Sequence, residues 1–224
     1  VGLGSRIVHR RQQFLQAFAD DLEEAYRRID AVAERPTIEY DTIADLAPDA
    51  TPDAIEDAFR AALARKQGQE RDRGTTLVGP QRDELVFRLD DLEVRRYGSQ
   101  GQHRTFAMAL KLAQYFYLQQ RNDTEPLLLL DDAFGKLDAE RTGVFLDLLR
   151  SDAVGQSLVT ATRRGPFEPA LNAEPASHRA LQVRPGGGTA AVTPDPEYAR
   201  GEATAANGAA SAPTGADAAS TSRD

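Results

Sequence analysis

Pro126-Leu127-Leu128-Leu129-Leu130-Asp131-Asp132 is the stretch on which the fold turns. Four consecutive leucines, opened by a proline and closed by two carboxylates, predict a short strand buried on both faces. Its acids then fall at the carboxyl end. In open α/β sheets that end faces ligands, and paired carboxylates there can hold hydrated Mg2+ and orient a water toward a phosphate. The competing reading is a core strand whose acids only cap the next turn.

Upstream, Tyr97-Gly98-Ser99-Gln100-Gly101-Gln102 precedes a run from Gly101 to Gln120 with too few breakers for a loop. It predicts a helix with Ser99 at its start. Phe106, Leu110, Ala113 and Tyr117 make one apolar stripe and Leu112 and Phe116 another, so this helix is expected to be mostly buried. A serine hydroxyl beside unpaired amides at the positive end of a helix dipole suits a terminal phosphate, and Gly101 permits close backbone approach. An ordinary Ser N-cap explains the same residues. Downstream, Asp138 caps a helix through Arg150 with Val144, Phe145, Leu148 and Leu149 inward, and Gln156 to Thr160 is another apolar strand.

The first half of the chain reads as helical. Phe14, Phe18, Leu22, Tyr26 and Ile29 recur at helical spacing between Arg10 and Ile29, and Pro36 ends that segment. Thr37 to Tyr40 is a short strand. Thr51-Pro52 opens a second helix with Ile55, Ala58, Phe59, Ala62 and Leu63 on one side, ending at Gln67-Gly68. Gln69 to Gly74 is then a polar connector, Thr75 to Val78 a strand, and Glu84 to Leu89 with Leu92 to Tyr97 a hairpin around Asp90-Asp91. Arg82, Arg95, Arg96 and Arg104 gather around Ser99 in sequence. They are candidates for phosphate or DNA contact, or equally for salt bridges to Asp83, Glu84 and Glu93. Beyond about Thr189 almost no large apolar residue remains, which predicts a disordered tail.

Composition narrows the classes. The 224 residues carry 27 Lys+Arg against 35 Asp+Glu, a formal net charge of −8, which does not advertise nucleic-acid binding. The absence of cysteine and of an apolar run near 18 residues predicts a cytoplasmic protein without a membrane span. His9, His103 and His178 lack metal-ligand spacing. No Gly-x-x-x-x-Gly-Lys-Ser/Thr is present, position 1 is Val, and the single methionine is Met108. The sequence therefore reads as a truncated piece whose phosphate-loop half lies elsewhere.

Taken in order, the Ser-x-Gly-Gln signature, the acid-ended Walker B strand and Gly135-Lys136-Leu137-Asp138 resemble the ABC-type ATPases. Thr76-Leu77-Val78-Gly79-Pro80-Gln81-Arg82-Asp83, Gln102-His103-Arg104-Thr105, Ala109-Leu110-Lys111-Leu112-Ala113 and Leu128 to Asp132 are similar, more narrowly, to the RecF family. That family comprises bacterial ATPases of recombinational DNA repair and of the recovery of stalled replication. The likeness is dense from about Thr75 to Thr162.

The resemblance implies an α/β fold: the C-terminal part of an ABC-type P-loop ATPase head, with a helical second lobe over 1–73, a core portion over 74–188 and a disordered tail over 189–224. It implies ATP and Mg2+ as cofactors. Asp131 would hold Mg2+ through water, and Asp132 would polarise the attacking water. Ser99, Gln100, Gly101 and Gln102 would meet the γ-phosphate held by a second molecule, making an ATP-dependent homodimer. Gly135, Leu137 and Asp138 would form the D-loop, and Thr160 and Thr162 would occupy the switch position.

ABC families usually carry Glu at the place of Asp132, so a bridging water or a slow ATPase is expected, and no ATPase without the phosphate-loop half; they usually carry Ser at that of Gly135, which here offers no hydroxyl contact. The partners implied are DNA, double-stranded beside single-stranded gaps, together with RecR and RecO in aiding RecA loading. The alternatives are another chromosome-maintenance or transporter ATPase head, or a non-catalytic interaction module. Coiled-coil heptads and a switch histidine are absent from the sequence.

Overall fold

The computed structural model describes residues 1–29, 34–42, 46–132, 134, 138–163, 165–168, 178–186 and 189–195. Val1–Thr162 forms one compact unit and Arg163–Asp224 a second. This division follows spatial contacts, whereas the sequence boundaries at 73/74 and 188/189 follow motif content.

In the first unit the long helix α1 (Gly2–Ile29) is the organising element, starting well before the expected Arg10. Its Val8 joins a buried cluster with Ile55, Phe59, Ala62 and Val78. Three of those come from α2 (Pro52–Arg73). Further along, Phe18, Leu22, Ala25, Tyr26 and Ile29 are buried. They lie on the helix that packs against α4 (Gln100–Gln119). Tyr26 and Phe106 meet there with ring centroids 6.1 Å apart. Phe14, expected inward, is 41% exposed, with its ring edge-on to Tyr117 at 5.1 Å.

Helix α2 starts as read, with Thr51 Oγ1 accepting from the Ala54 amide and Pro52 in the first turn, but it continues through Gln69–Arg73. Gly68 does not stop it; Gly74 does, at φ 62°, where the left-handed cap suits glycine. Thr75 to Val78 is not a strand. The Leu77 and Val78 amides donate to Glu70 Oε1 (2.7 and 3.3 Å), and the Arg82 guanidinium takes the Thr76 carbonyl (2.7 Å). Side chains thus satisfy backbone groups that a sheet would otherwise have paired.

An antiparallel sheet follows, formed by β1 (Pro36–Asp41), β2 (Glu84–Leu89) and β3 (Leu92–Glu93). Pro36 lies opposite Leu89 and Asp41 opposite Glu84. Asp90, at φ 50°, makes the turn, and its Oδ1 accepts from the Arg35 amide (3.0 Å). The hairpin's second arm is shorter than expected. After Glu93 the chain coils into the single turn α3 (Val94–Tyr97), which buries Val94 and closes with Gly98 N–H on the Val94 carbonyl (2.9 Å).

Beyond α4, whose buried residues span two faces as anticipated, β4 (Leu128–Leu130) pairs in parallel with β5 (Ser157–Val159). Helix α5 (Ala139–Leu149) connects them. Leu128 and Leu130 are buried, but Leu129 is 63% and Leu158 52% exposed. The expectation of a strand buried on both faces is therefore corrected: among the described residues one side of this two-stranded sheet is uncovered. In α5, Thr142, Phe145, Leu146 and Leu148 are buried, whereas Val144 faces out.

The second unit holds a short 3-10 turn at Gly165–Phe167 and an antiparallel pair, β6 (Leu181–Gly186) with β7 (Thr189–Pro194). Composition places Thr189–Pro194 in the tail, but pairing of Val192 with Val183 and of Thr193 with Gln182 makes it a strand. The rest of the expected tail, 196–224, lies outside the described residues.

Candidate functional site

Ser99 caps α4 from exposed, extended backbone (φ −65°, ψ 162°). Its Oγ accepts from the Gln102 amide (3.1 Å), while Gln102 Oε1 accepts from the Ser99 amide (2.8 Å), a reciprocal capping box. That arrangement leaves the first-turn amides of Gln100 and Gly101, which a helix cannot pair internally. The hydroxyl keeps its own proton to donate. Gln102 is fixed from behind: its Nε2 donates to Glu34 Oε1 (2.6 Å), whose Oε2 accepts from the hydroxyl of buried Tyr26 (2.9 Å). A chain of hydrogen bonds thus runs from α1 to the backbone of Ser99.

Asp131 and Asp132 follow β4 directly, and both are exposed. Because β4 and β5 are parallel, Thr160 emerges at the same edge. Its amide bonds the Leu130 carbonyl (2.8 Å), its Oγ1 donates to Asp131 Oδ1 (2.5 Å), and that Oγ1 accepts from the Asp132 amide (3.0 Å). Asp132 sits at φ 45°. Aspartate tolerates this left-handed region better than longer side chains do. Two carboxylates beside open solvent fit Mg2+, which takes one or two protein carboxylates and completes its shell with water and phosphate oxygens.

Asp138 caps α5, its Oδ1 accepting from the Arg141 amide (2.8 Å) and its Oδ2 from Arg141 Nη1 (2.8 Å). The backbone bond and then the guanidinium hold its carboxyl below the usual carboxylate range. The Arg141 side chain also reaches the start of α4: a Cβ placed on Gly101 would lie 3.7 Å from Arg141 Nη1 and 3.8 Å from Ser99 Oγ. Gly135 and Leu137, the other D-loop candidates, lie outside the described residues. Thr162 is exposed at the end of the first unit.

Of the arginine candidates, Arg82 folds onto Thr75 and Thr76, and Arg96 pairs with Glu93 at 3.2 Å. Arg104 is half-buried and engaged, and Arg95 is exposed. Two site residues escaped the sequence reading. Glu34 carries no motif. Arg141 carried a signal, being a cation at the third position of a helix, where Glu or Gln normally completes the box.

Comparison with known proteins adds the following. No family model matches the chain. It is 39% identical over 174 residues to the DNA replication and repair protein RecF of Chloroherpeton thalassium, covering 74% of this chain and 45% of that protein. It is also 38% identical over 169 residues to the RecF protein of a Synechococcus strain, covering 75% and 44%. Two solved structures, of the recombination mediator protein RecF-ATPrS and of RecF-ATP in the RecFOR pathway, superpose with TM-scores of 0.62 and 0.61 at 25% and 26% identity. They cover 72% and 71% of this chain and 43% and 42% of theirs. The chain spans a little under half the length of the relatives it matches. Over the three quarters of it that align, the chain belongs to the RecF family.

Proposed function

We propose that this chain is the signature-bearing part of a RecF-like DNA-repair ATPase, and that a glycine-rich phosphate loop is supplied by the remainder of a longer protein. The observation that carries the reading is Thr160 Oγ1 joined to both Asp131 and the Asp132 amide at the common edge of β4 and β5. A hydroxyl held between a carboxylate and a backbone amide at a sheet's carboxyl edge is suited to sense a phosphate, not to build a core. In this reading residues 1–73 serve as the helical lobe and 74–188 as the core portion.

Asp131 holds Mg2+ through water and Asp132 orients the attacking water, while Thr160 and Thr162 respond to the terminal phosphate. Ser99, with the amides of Gln100 and Gly101, receives the γ-phosphate of ATP bound by a second molecule. Gln102 holds that surface in place, and Gly135, Leu137 and Asp138 line the join. ATP thereby closes a homodimer, and hydrolysis opens it. DNA is the substrate of the clamp, double-stranded beside a single-stranded gap. Arg95 is the least engaged of the four arginine candidates Arg82, Arg95, Arg96 and Arg104, and RecR and RecO are the partners in aiding RecA loading.

The exposed Leu129 and Leu158 face is where the phosphate-loop lobe packs. The same uncovered face favours the second reading, a non-catalytic interaction module. Sedimentation of a protein carrying both parts, with and without ATP and gapped DNA, separates the two. A monomer-to-dimer shift that needs ATP and is strengthened by gapped DNA is expected; sedimentation indifferent to ATP would end the clamp reading.

A further inference from the structure

We infer that Arg141 is a phosphate-contacting residue of the signature surface, supplying a guanidinium beside Ser99 to the terminal phosphate that a second molecule presents. This deepens the shared-site reading and rests on it. Locally its guanidinium pairs with the Asp138 carboxylate at 2.8 Å, yet the position is unfavourable for a cation. Asp138 is the N-cap of α5, so Arg141 occupies the third helical position, where the dipole disfavours a cation and a capping box calls for Glu or Gln. The start of α4 obeys that rule with Gln102. The start of α5 breaks it.

What Arg141 does instead is reach across to the neighbouring helix start. Its Nη1 is held by Asp138 Oδ2 at 2.8 Å and would be 3.7 Å from a Cβ on Gly101, itself 3.8 Å from Ser99 Oγ. The positive start of α4 and a guanidinium meet there, and that guanidinium is bonded to the Asp138 carboxylate. Such convergence favours an arriving anion with several oxygens, and an arginine fork matches a phosphate better than a lysine does.

The test is ATP-driven dimerisation of the full-length protein carrying these residues and a phosphate loop, with monomer ATP affinity and melting temperature measured alongside. Arg141→Gln is the deciding variant, because Gln keeps a hydrogen-bonding box residue at the third helical position and with it the fold of α5. Arg141→Gln and Arg141→Ala are expected to weaken dimerisation at least tenfold, with ATP affinity of the monomer within twofold of the parent. Arg141→Lys is expected to restore part of the loss.

Unchanged dimerisation of Arg141→Gln overturns the inference. If Ser99→Arg still abolishes dimerisation in that case, the shared-site reading survives without Arg141. If neither substitution matters, both fall together. Loss in Arg141→Ala alone, accompanied by a lowered melting temperature, assigns the residue to the helix cap and also overturns the inference.

Discussion

Thr160 Oγ1 donates to Asp131 Oδ1 at 2.5 Å while accepting from the Asp132 amide at 3.0 Å, so one hydroxyl ties β5 to both acids that end β4. A hydrogen bond to a charged partner contributes about 1.5–3 kcal/mol. Thr160→Val keeps the shape and removes the hydroxyl. In a protein that carries these residues together with a phosphate loop, turnover of ATP is expected to fall about tenfold or more with ATP affinity nearly unchanged, and Thr160→Ser to recover most of it. Steady-state kinetics beside a nucleotide titration check this; equal turnover in the valine variant would leave the hydroxyl with no part in hydrolysis.

Asp132 raises a related expectation through its backbone. At φ 45° the position tolerates Asp and Asn but not longer or branched side chains as readily. Asp132→Asn therefore removes charge without straining the chain, and in a protein that also carries a phosphate loop, under the proposed clamp, it is expected to slow hydrolysis at least tenfold and prolong the ATP-bound dimer. Asp132→Glu restores the commoner ABC residue, yet in a strained backbone it is expected to give no gain in rate. Single-turnover hydrolysis distinguishes these, and a faster Glu variant would show that backbone conformation does not select Asp here.

Features that depend on neighbours within a few residues were legible in the sequence. Ser99 and Thr51 were read as caps from one serine and one Thr-Pro pair, and both cap as read. The β4 to β5 order followed from two apolar runs separated by a helix. What escaped depends on long-range packing. Leu129 looks as apolar as Leu130, and only the layer above it decides whether it is buried; Phe14 and Val144 fail in the same way. Glu34 bonds Gln102 across 68 positions, a contact no local pattern encodes. Gln69–Arg73 reads as a connector because Gly68 resembles a stop, whereas the left-handed Gly74 is the one the backbone uses.

The Tyr26–Glu34–Gln102 chain predicts that Ser99 is positioned from α1. Gln102→Ala removes the side-chain half of the box and the link to Glu34 at once, while Ser99 Oγ still accepts from the backbone amide at 102, and a lost hydrogen bond costs about 0.5–1.5 kcal/mol. A melting-temperature drop of a few degrees is expected, together with several-fold weaker ATP-driven dimerisation. Glu34→Ala leaves the cap intact, so it is expected to weaken dimerisation with a smaller thermal effect. Dimerisation untouched by Glu34→Ala would mean that the capping box alone orients Ser99.

The last prediction concerns alkaline stability. Asp83, with its side chain 1% exposed, accepts from Thr42 Oγ1 (2.9 Å), Arg11 Nη1 (3.2 Å) and the Tyr40 hydroxyl, tying α1 and β1 to the Gly79–Asp83 loop. Burial first, and the bond to Asp83 second, push the Tyr40 phenol up to about 12 from an ordinary value near 10. The folded state therefore holds this proton more tightly than the unfolded chain. Its stabilising effect is complete below about pH 10 and is lost as pH rises from there through about 12. Tyr40→Phe is expected to cost about 1–3 kcal/mol at neutral pH, because Asp83 loses a donor, and to flatten the decline between pH 10 and 12. Urea unfolding of both proteins at pH 8, 10 and 11.5 measures this, and an alkaline decline of the same size in Tyr40→Phe would assign it to other groups.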